Sequence, residues 1–403
     1  MTNVCLYFQV HQPFRLRRYS LFDIGKKSDY FDEHKNKEIM QKVAKKCYLP
    51  TNKIIKDLIK NENLKAAYSI SGTALEQFKK YAPDVLTSFQ ELADTGSVEF
   101  LSETSHHSIS ALYDQEEFKD QVKQHAKSIK KEFGQKPTVF RNTELIYNNE
   151  IAKLAEQMGY KAILAEGWDS ILTWRSPNYV YKPQGTKKIR LLLKNYKLSD
   201  DVAFRFSNKN WTGWPLTAEK YAGWLAPIMG DSINLFMDYE TFGEHQWADT
   251  GIFNFLRHLP SALKKHDITF HHPSELSKIP PKEELDVPNP ISWADVERDV
   301  SAWLGNSMQQ NAMRKVFELK KDIISTGNEE LFQTWKKLTT SDHFYYMCTK
   351  WFNDGDVHKY FNPYETPYEA FITYMNVIQD IERHVKQNKK GLFASLGRLI
   401  AQT

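Results

Sequence analysis

Cysteine is scarce: Cys5, Cys47 and Cys348 are the three in 403 residues, and no C-x-x-C spacing relates them. An odd, sparse set argues against a disulfide framework and against a cysteine zinc site; it suits free thiols in a reducing compartment. No stretch approaches the ~18 consecutive apolar residues of a membrane-spanning helix. The opening segment, Met1-Thr2-Asn3-Val4-Cys5-Leu6-Tyr7-Phe8, has no basic segment, long apolar segment or small-residue cleavage motif, so no signal peptide is expected. The expected location is cytoplasmic. The charge excess is only +4 and no dense Lys/Arg stripe appears. Neither nucleic acid nor membrane is therefore expected as a partner. Internal repeats and low-complexity tracts are absent as well.

Aromatic residues, by contrast, are plentiful, with ten Trp and twenty Tyr, and 41% of the chain is apolar. That is enough for a large core. Strand patterns alternate with helical ones over the first two thirds. Val4–Val10, Lys65–Ile70, Val98–Leu101, Thr138–Arg141, Lys161–Leu164, Ile189–Leu193, Val202–Phe206, Ile233–Asp238 and Ile268–Phe270 read as strands. Such alternation predicts a parallel sheet, and this many units predict a closed or nearly closed barrel of about eight βα units in about 250 residues. The connector Ile279–Pro290 is proline-rich and charged. Beyond it the periodicity is helical. The expected organisation is a catalytic domain over 1–278 and a helical region over 279–403 that packs on it and contributes to its cleft.

The stretch Ile233–His245 concentrates the chemistry. An apolar run ends in Asp238, Glu240, Gly243, Glu244 and His245. On an extended backbone Asp238 and Glu240 point the same way, and two adjacent carboxylates call for a cation, a shared proton or a substrate. Four other strands end in similar residues: His11-Gln12-Pro13, Gly72 with Glu76, Glu103 to His107, and Arg141 to Glu144. Parallel strands share a carboxyl side, so all of these converge at one end. Two chemistries use such a set. One is glycoside hydrolysis by a carboxylate pair. The other is metal-assisted hydrolysis of the deacetylase kind. The adjacent pairs His106-His107 and His271-His272 suit one ion poorly, because neighbours on a strand face opposite ways. Trp168, Trp174, Trp211, Trp214, Trp247, Trp293 and Trp303, in or near predicted loops, suit sugar. A non-catalytic glucan-binding protein is a third reading.

Five short stretches then carry a resemblance. His11-Gln12-Pro13, Gly72 to Glu76, Phe140-Arg141-Asn142-Thr143-Glu144, Met237-Asp238-Tyr239-Glu240-Thr241-Phe242-Gly243, and Ser292-Trp293 through Asn306 occur in that order. Together they resemble the signature regions of glycoside hydrolase family 57, most closely its intracellular α-amylase branch. The resemblance covers nearly the whole chain. It implies an incomplete (β/α)7 barrel followed by helices, seven units where alternation alone suggests eight. It further implies a retaining α-1,4-glucan hydrolase acting on starch, glycogen or maltooligosaccharides, with Glu144 as nucleophile and Asp238 as acid/base. His11, Gln12, Glu76, His107, Arg141, Glu240, Trp247, Asp299, Trp303 and Asn306 become candidate substrate contacts. Ser105 and His106 stand where this branch tends to have two aromatic residues. No metal or cofactor is expected. A 4-α-glucanotransferase shares every residue named, and oligomeric state is not readable. Burial and an anionic Glu240 are expected to keep Asp238 protonated, and the nearby Arg141 to keep Glu144 ionised.

Overall fold

The computed structural model describes residues 3–350 and 362–400, with side chains to 387. The parts of the predicted helical region at 351–361 and 401–403 lie outside the described residues. The chain divides into two compact units. One comprises Met1–Gln12, Lys37–Ser105 and Glu116–Asp299; the other comprises Pro13–Asn36, His106–Gln115 and Val300–Thr403. Among the described residues no helix is long and apolar enough to cross a membrane.

The first unit is α/β. Its strands are β1 (Asn3–Val10), β2 (Ala66–Ile70), β3 (Val98–Phe100), β4 (Val139–Arg141), β5 (Ala162–Glu166), β6 (Lys182–Pro183), β7 (Arg190–Lys194), β8 (Ile233–Asp238), β9 (Thr269–Phe270) and β10 (Glu284–Leu285). Every ladder between them is parallel. One sheet runs β3-β2-β1-β8 with β9 also on β1, a second runs β4-β5-β7, and β6 pairs with β10. A single bridge, Ser102 to Phe140, joins the residues after β3 to β4. Asn195 N–H donates to the Asn234 carbonyl at 2.9 Å and the Asn234 amide donates to the Leu193 carbonyl at 2.9 Å, which ties the end of β7 to β8. The apolar runs of β2 and β5 are buried at every residue, as expected of parallel strands covered on both faces.

One predicted strand is wrong. Val202 and Ala203 end the helix Tyr196–Ala203. Asn195 starts that helix by accepting the Leu198 N–H at 3.2 Å. Val202, Ala203 and Phe206 are buried, but from a helix end and the turn after it, and Phe204 is exposed. The short pair β6 and β10 is not among the predicted strands.

The second unit is helical, with Ser307–Ser325, Glu329–Leu338 and Pro367–Ile400 as its longer helices. Asp380 is fully buried there and accepts from Tyr19 Oη at 2.9 Å, Tyr30 Oη at 2.8 Å and Gly25 N–H at 2.7 Å. Three donors compensate the desolvation of one carboxylate.

Candidate active site

Alternation along the strands decides which polar side chains meet. Cys5 and Tyr7, Ala67, Leu101, Val139, Ala162 and Leu164, Leu192, and Phe236 belong to one buried apolar cluster. Two residues further along each strand stand Gln9, Ser69, Glu103, Arg141, Glu166, Lys194 and Asp238. The period that fills the core therefore ends in a polar layer at the carboxyl ends. Gln9 lies between Asp238 and Ser69 in register, and Glu166 lies opposite Lys194. Tyr7 donates to Gln9 Oε1 at 2.7 Å; Glu103 Oε1 accepts from Gln9 Nε2 at 3.0 Å and from Ser69 Oγ at 2.6 Å. His125 accepts the Glu103 N–H on Nδ1 at 3.1 Å and contacts the Ile70 carbonyl with Nε2 at 2.8 Å, which places its proton on Nε2. Burial pushes the Tyr7 phenol far above its ordinary range; Arg141 opposes the shift, and Glu103 and Asp238 add to it.

Glu144 stands three residues past β4, in a tight turn. Leu145 N–H bonds the Asn142 carbonyl at 3.0 Å, Ile146 N–H bonds Thr143 at 2.9 Å, and the Asn142 amide donates to the Ile146 carbonyl at 2.9 Å. Glu144 and Leu145 both adopt left-handed backbone, φ 57° and 50°. Such residues cost about 1–3 kcal/mol each and persist only where surroundings hold them. The holding segment is Ile291–Trp293. Tyr147 and Ile291 exchange backbone hydrogen bonds, both at 2.9 Å, and Trp293 N–H reaches the Glu144 carbonyl at 3.3 Å. The Trp293 indole Nε1 donates to Glu144 Oε2 at 2.9 Å. The Arg141 guanidinium carbon lies 4.8 Å from the indole centroid, and Lys194 Nζ lies 5.4 Å from it.

Behind Trp293 sits a set of ion pairs. Arg298 bonds Glu166 Oε2 at 2.7 Å, the Trp293 carbonyl at 3.1 Å and Asp200 Oδ2 at 3.5 Å. Lys194 Nζ lies 3.1 Å from Asp200 and 3.7 Å from Glu166. Two acids and two bases cancel, which makes their burial tolerable. Burial pulls the Lys194 pKa down, but Asp200 and Glu166 outweigh it, so Lys194 is held above its usual value and stays charged.

The end of β8 is built differently. Asp238 closes the strand half-buried, and Tyr239–Thr241 turns at once. Extended backbone stops there, so Glu240 does not continue the strand beside Asp238. It is 5% exposed. Its Oε1 accepts a short hydrogen bond from Tyr48 and one from Gln12 Nε2 at 3.5 Å. Burial first, and Asp238 second, push Glu240 up to about 8. Burial thus favours the protonated form of Glu240 near neutrality, which weakens it as the anion expected to raise Asp238. Gly243 keeps the turn open: at φ 109° it faces the Lys46 carbonyl, 2.0 Å from where a Cβ would stand.

His11 Nδ1 lies 2.7 Å from Ser71 Oγ, and that oxygen accepts the Ala74 N–H at 3.3 Å to cap helix Gly72–Tyr81. Gly72 is needed because the Ser105 carbonyl comes 2.4 Å from its missing Cβ. Glu76 is exposed on that helix. Trp247 is 51% exposed with Lys46 Nζ 5.3 Å from its ring. The Asp299 carbonyl accepts from Ser292 Oγ at 2.6 Å. Three candidates belong to the second unit. His107 has φ 49° and its carbonyl accepts the Ser341 N–H at 2.9 Å. Trp303 is buried beside Tyr345, with centroids 6.0 Å apart. Asn306 caps helix Ser307–Ser325 by accepting the Gln309 N–H at 3.0 Å. In the same unit burial, then Lys336 and Lys337, lower His106 to about 3, so it is neutral. Trp293 and Arg298 lie in the fifth stretch, but sequence reasoning missed their contacts with Glu144 and Glu166, and it did not name Glu166 or Lys194. Strand parity could have found Glu166 and Lys194. Among the described residues no three His, Cys, Asp or Glu side chains are grouped to hold a metal ion.

Residues 5–288 match the family model described as Glycosyl hydrolase family 57. The chain is 46% identical over 399 residues to a Methanocaldococcus jannaschii protein named "Putative alpha-amylase", with 94% of this chain and 84% of that protein covered. In structure it is similar to the GH57-type branching enzyme of Pyrococcus horikoshii, with TM-score 0.68 and 13% identity over 96% of this chain and 92% of that one. It is also similar to the 4-alpha-glucanotransferase of Thermococcus litoralis, with TM-score 0.61 and 16% identity over 95% of this chain. The chain spans 60% of that glucanotransferase's length. At these identities both structural likenesses concern the fold.

Proposed function

The chain belongs to glycosyl hydrolase family 57, and from that membership we propose that it hydrolyses α-1,4-glucosidic bonds of starch, glycogen or maltooligosaccharides with retention. Glu144 attacks the anomeric carbon as the bond to the glycosidic oxygen breaks. Asp238 gives that oxygen a proton, then takes one from the water that releases the sugar from Glu144. The observation that carries this reading is the Trp293 N–H on Glu144 Oε2, 2.9 Å away. A carboxylate fixed by a donor on one oxygen, with cations beyond the donor, is suited to staying ionised and aimed.

Arg141 supports a sugar ligand. Its guanidinium is buried, and its three nitrogens have no hydrogen-bond partner among the described residues. A buried cation without acceptors is costly, and sugar hydroxyl oxygens would supply them. Half-exposed Trp247 offers a ring face for stacking. The framework in this proposal is an incomplete seven-stranded barrel of β1 to β5, β7 and β8. The single bridge at Ser102 and the Asn234 bonds support it, since each ties two otherwise separate ladders.

Transfer to a second glucan, as in a 4-α-glucanotransferase, would use the same residues with a sugar in place of water. Digestion of maltoheptaose followed by proton NMR and product sizing tests both points. The α-anomer should form first, and products should be shorter than the substrate. First-formed β-anomer contradicts retention; products longer than the substrate favour transfer.

A further inference from the structure

We propose that Trp293 is a positioning residue for the nucleophile Glu144, set in place by Arg298. The inference rests on Glu144 being the nucleophile. Trp293 could be read as a core side chain, since it packs partly buried against the apolar cluster. Its polar atoms argue otherwise. The backbone N–H and the indole N–H both bond Glu144, and the carbonyl is held by Arg298 at 3.1 Å. Arg298 in turn is anchored on Glu166 at 2.7 Å and takes left-handed backbone at φ 51°. The Ser292 N–H returns to the Arg298 carbonyl at 3.0 Å, closing the 292–298 segment on itself. Indole geometry is thus determined from three sides.

The chemistry suits a nucleophile. Here Arg141 and Lys194 stand by the ring, and a neutral N–H touches the carboxylate. The nearby cations make the N–H a better donor. When water later displaces the sugar, the same N–H stabilises the departing carboxylate.

The test is the pH profile of kcat/KM on an aryl α-maltooligoside whose leaving group needs no proton, so that the acid limb reports Glu144. Charged groups around the Trp293 contact include Arg141, Lys194, Glu166, Asp200 and Arg298, with Glu103 and Asp238 in the same polar layer, and Trp293→Phe changes none of them. The variant should lose about ten- to a hundredfold in kcat/KM, the worth of a hydrogen bond to a charged group. Its acid limb should move up by about one pH unit or more. Arg298→Lys keeps the charge but not the forked contact, and should shift the limb the same way by less. Profiles of both folded variants that superimpose on the parent overturn the proposal; if Trp293→Phe does not fold, Arg298→Lys decides. Glu144→Gln with near-parental activity would instead sink the nucleophile assignment beneath it, whereas an inactive Glu144→Gln beside an unshifted Trp293→Phe sinks only this inference.

Discussion

β4 and β8 each run into a tight turn that carries a glutamate, and the two turns treat it oppositely. After β4, Glu144 receives an indole N–H and lies near a ring flanked by Arg141 and Lys194. After β8, Glu240 is folded into an aromatic box, bonded by Tyr48 and pushed up to about 8. Tyr68 and Phe8 pack on the neighbouring Tyr239 with centroids 5.0 and 5.1 Å away. The first arrangement favours an anion, the second a neutral acid used as a structural hydrogen-bond partner. Two glutamates with similar local sequence can therefore differ in role because of residues more than a hundred positions away. Asp238 is half-buried between strand and box, and the proposed mechanism gives it the proton transfer.

The sharpest way to break this comparison is to neutralise each acid. Asp238→Asn should lose about a hundred- to ten-thousandfold on starch, as expected for a general acid/base. On a substrate with a good leaving group its first step should recover much of that loss. Glu144→Gln should lose at least as much and recover nothing. Equal recovery in both variants would erase the distinction between the two turns.

Glu240→Gln should keep most activity, because the amide mimics the protonated acid and retains the oxygen that Tyr48 and Gln12 address. The pH sign follows from the raised pKa. Between its ordinary 4.5 and about 8 the folded state holds a proton that the unfolded state releases, so Glu240 costs increasing stability as pH rises through that window. Relative to the parent, Glu240→Gln should therefore gain stability from pH 5 to pH 8 in urea unfolding. A constant difference would mean that Glu240 is already ionised. Tyr48→Phe removes one buried donor and should cost about 1–2 kcal/mol in the same assay, with kcat nearly unchanged. The smallest effect belongs to Trp247→Ala: stability within about 0.5 kcal/mol, since the ring is half exposed, with KM rising for long glucans more than for short ones. An equal rise for both would remove Trp247 from the stacking role.

Much of the first unit was legible because its physics is local. Apolar strand runs, the glycine after β8 and the shared carboxyl side of parallel strands all show in sequence. Val202–Phe206 misled because a buried helix end is as apolar as a strand. Glu240 misled because the strand period was extended one turn too far; backbone conformation after Asp238 is not written in a D-x-E pair. Trp293 was named for sugar but not for Glu144, for another reason. It meets Glu144 across 149 positions, and nothing near either residue signals the other. Lys194 and Glu166 could have been found: a lysine closing Leu191-Leu192-Leu193 and a glutamate closing Ala162–Ala165 continue the core's parity outward.

The central claim is that Glu144 becomes covalently bonded to sugar during each turnover. A fluorinated α-glucosyl fluoride that forms its glycosyl-enzyme faster than it releases it, followed by peptide mass spectrometry, tests this most directly. The account predicts one sugar adduct, on the peptide carrying Glu144. An adduct on Asp238, Glu103 or Glu166 would contradict it.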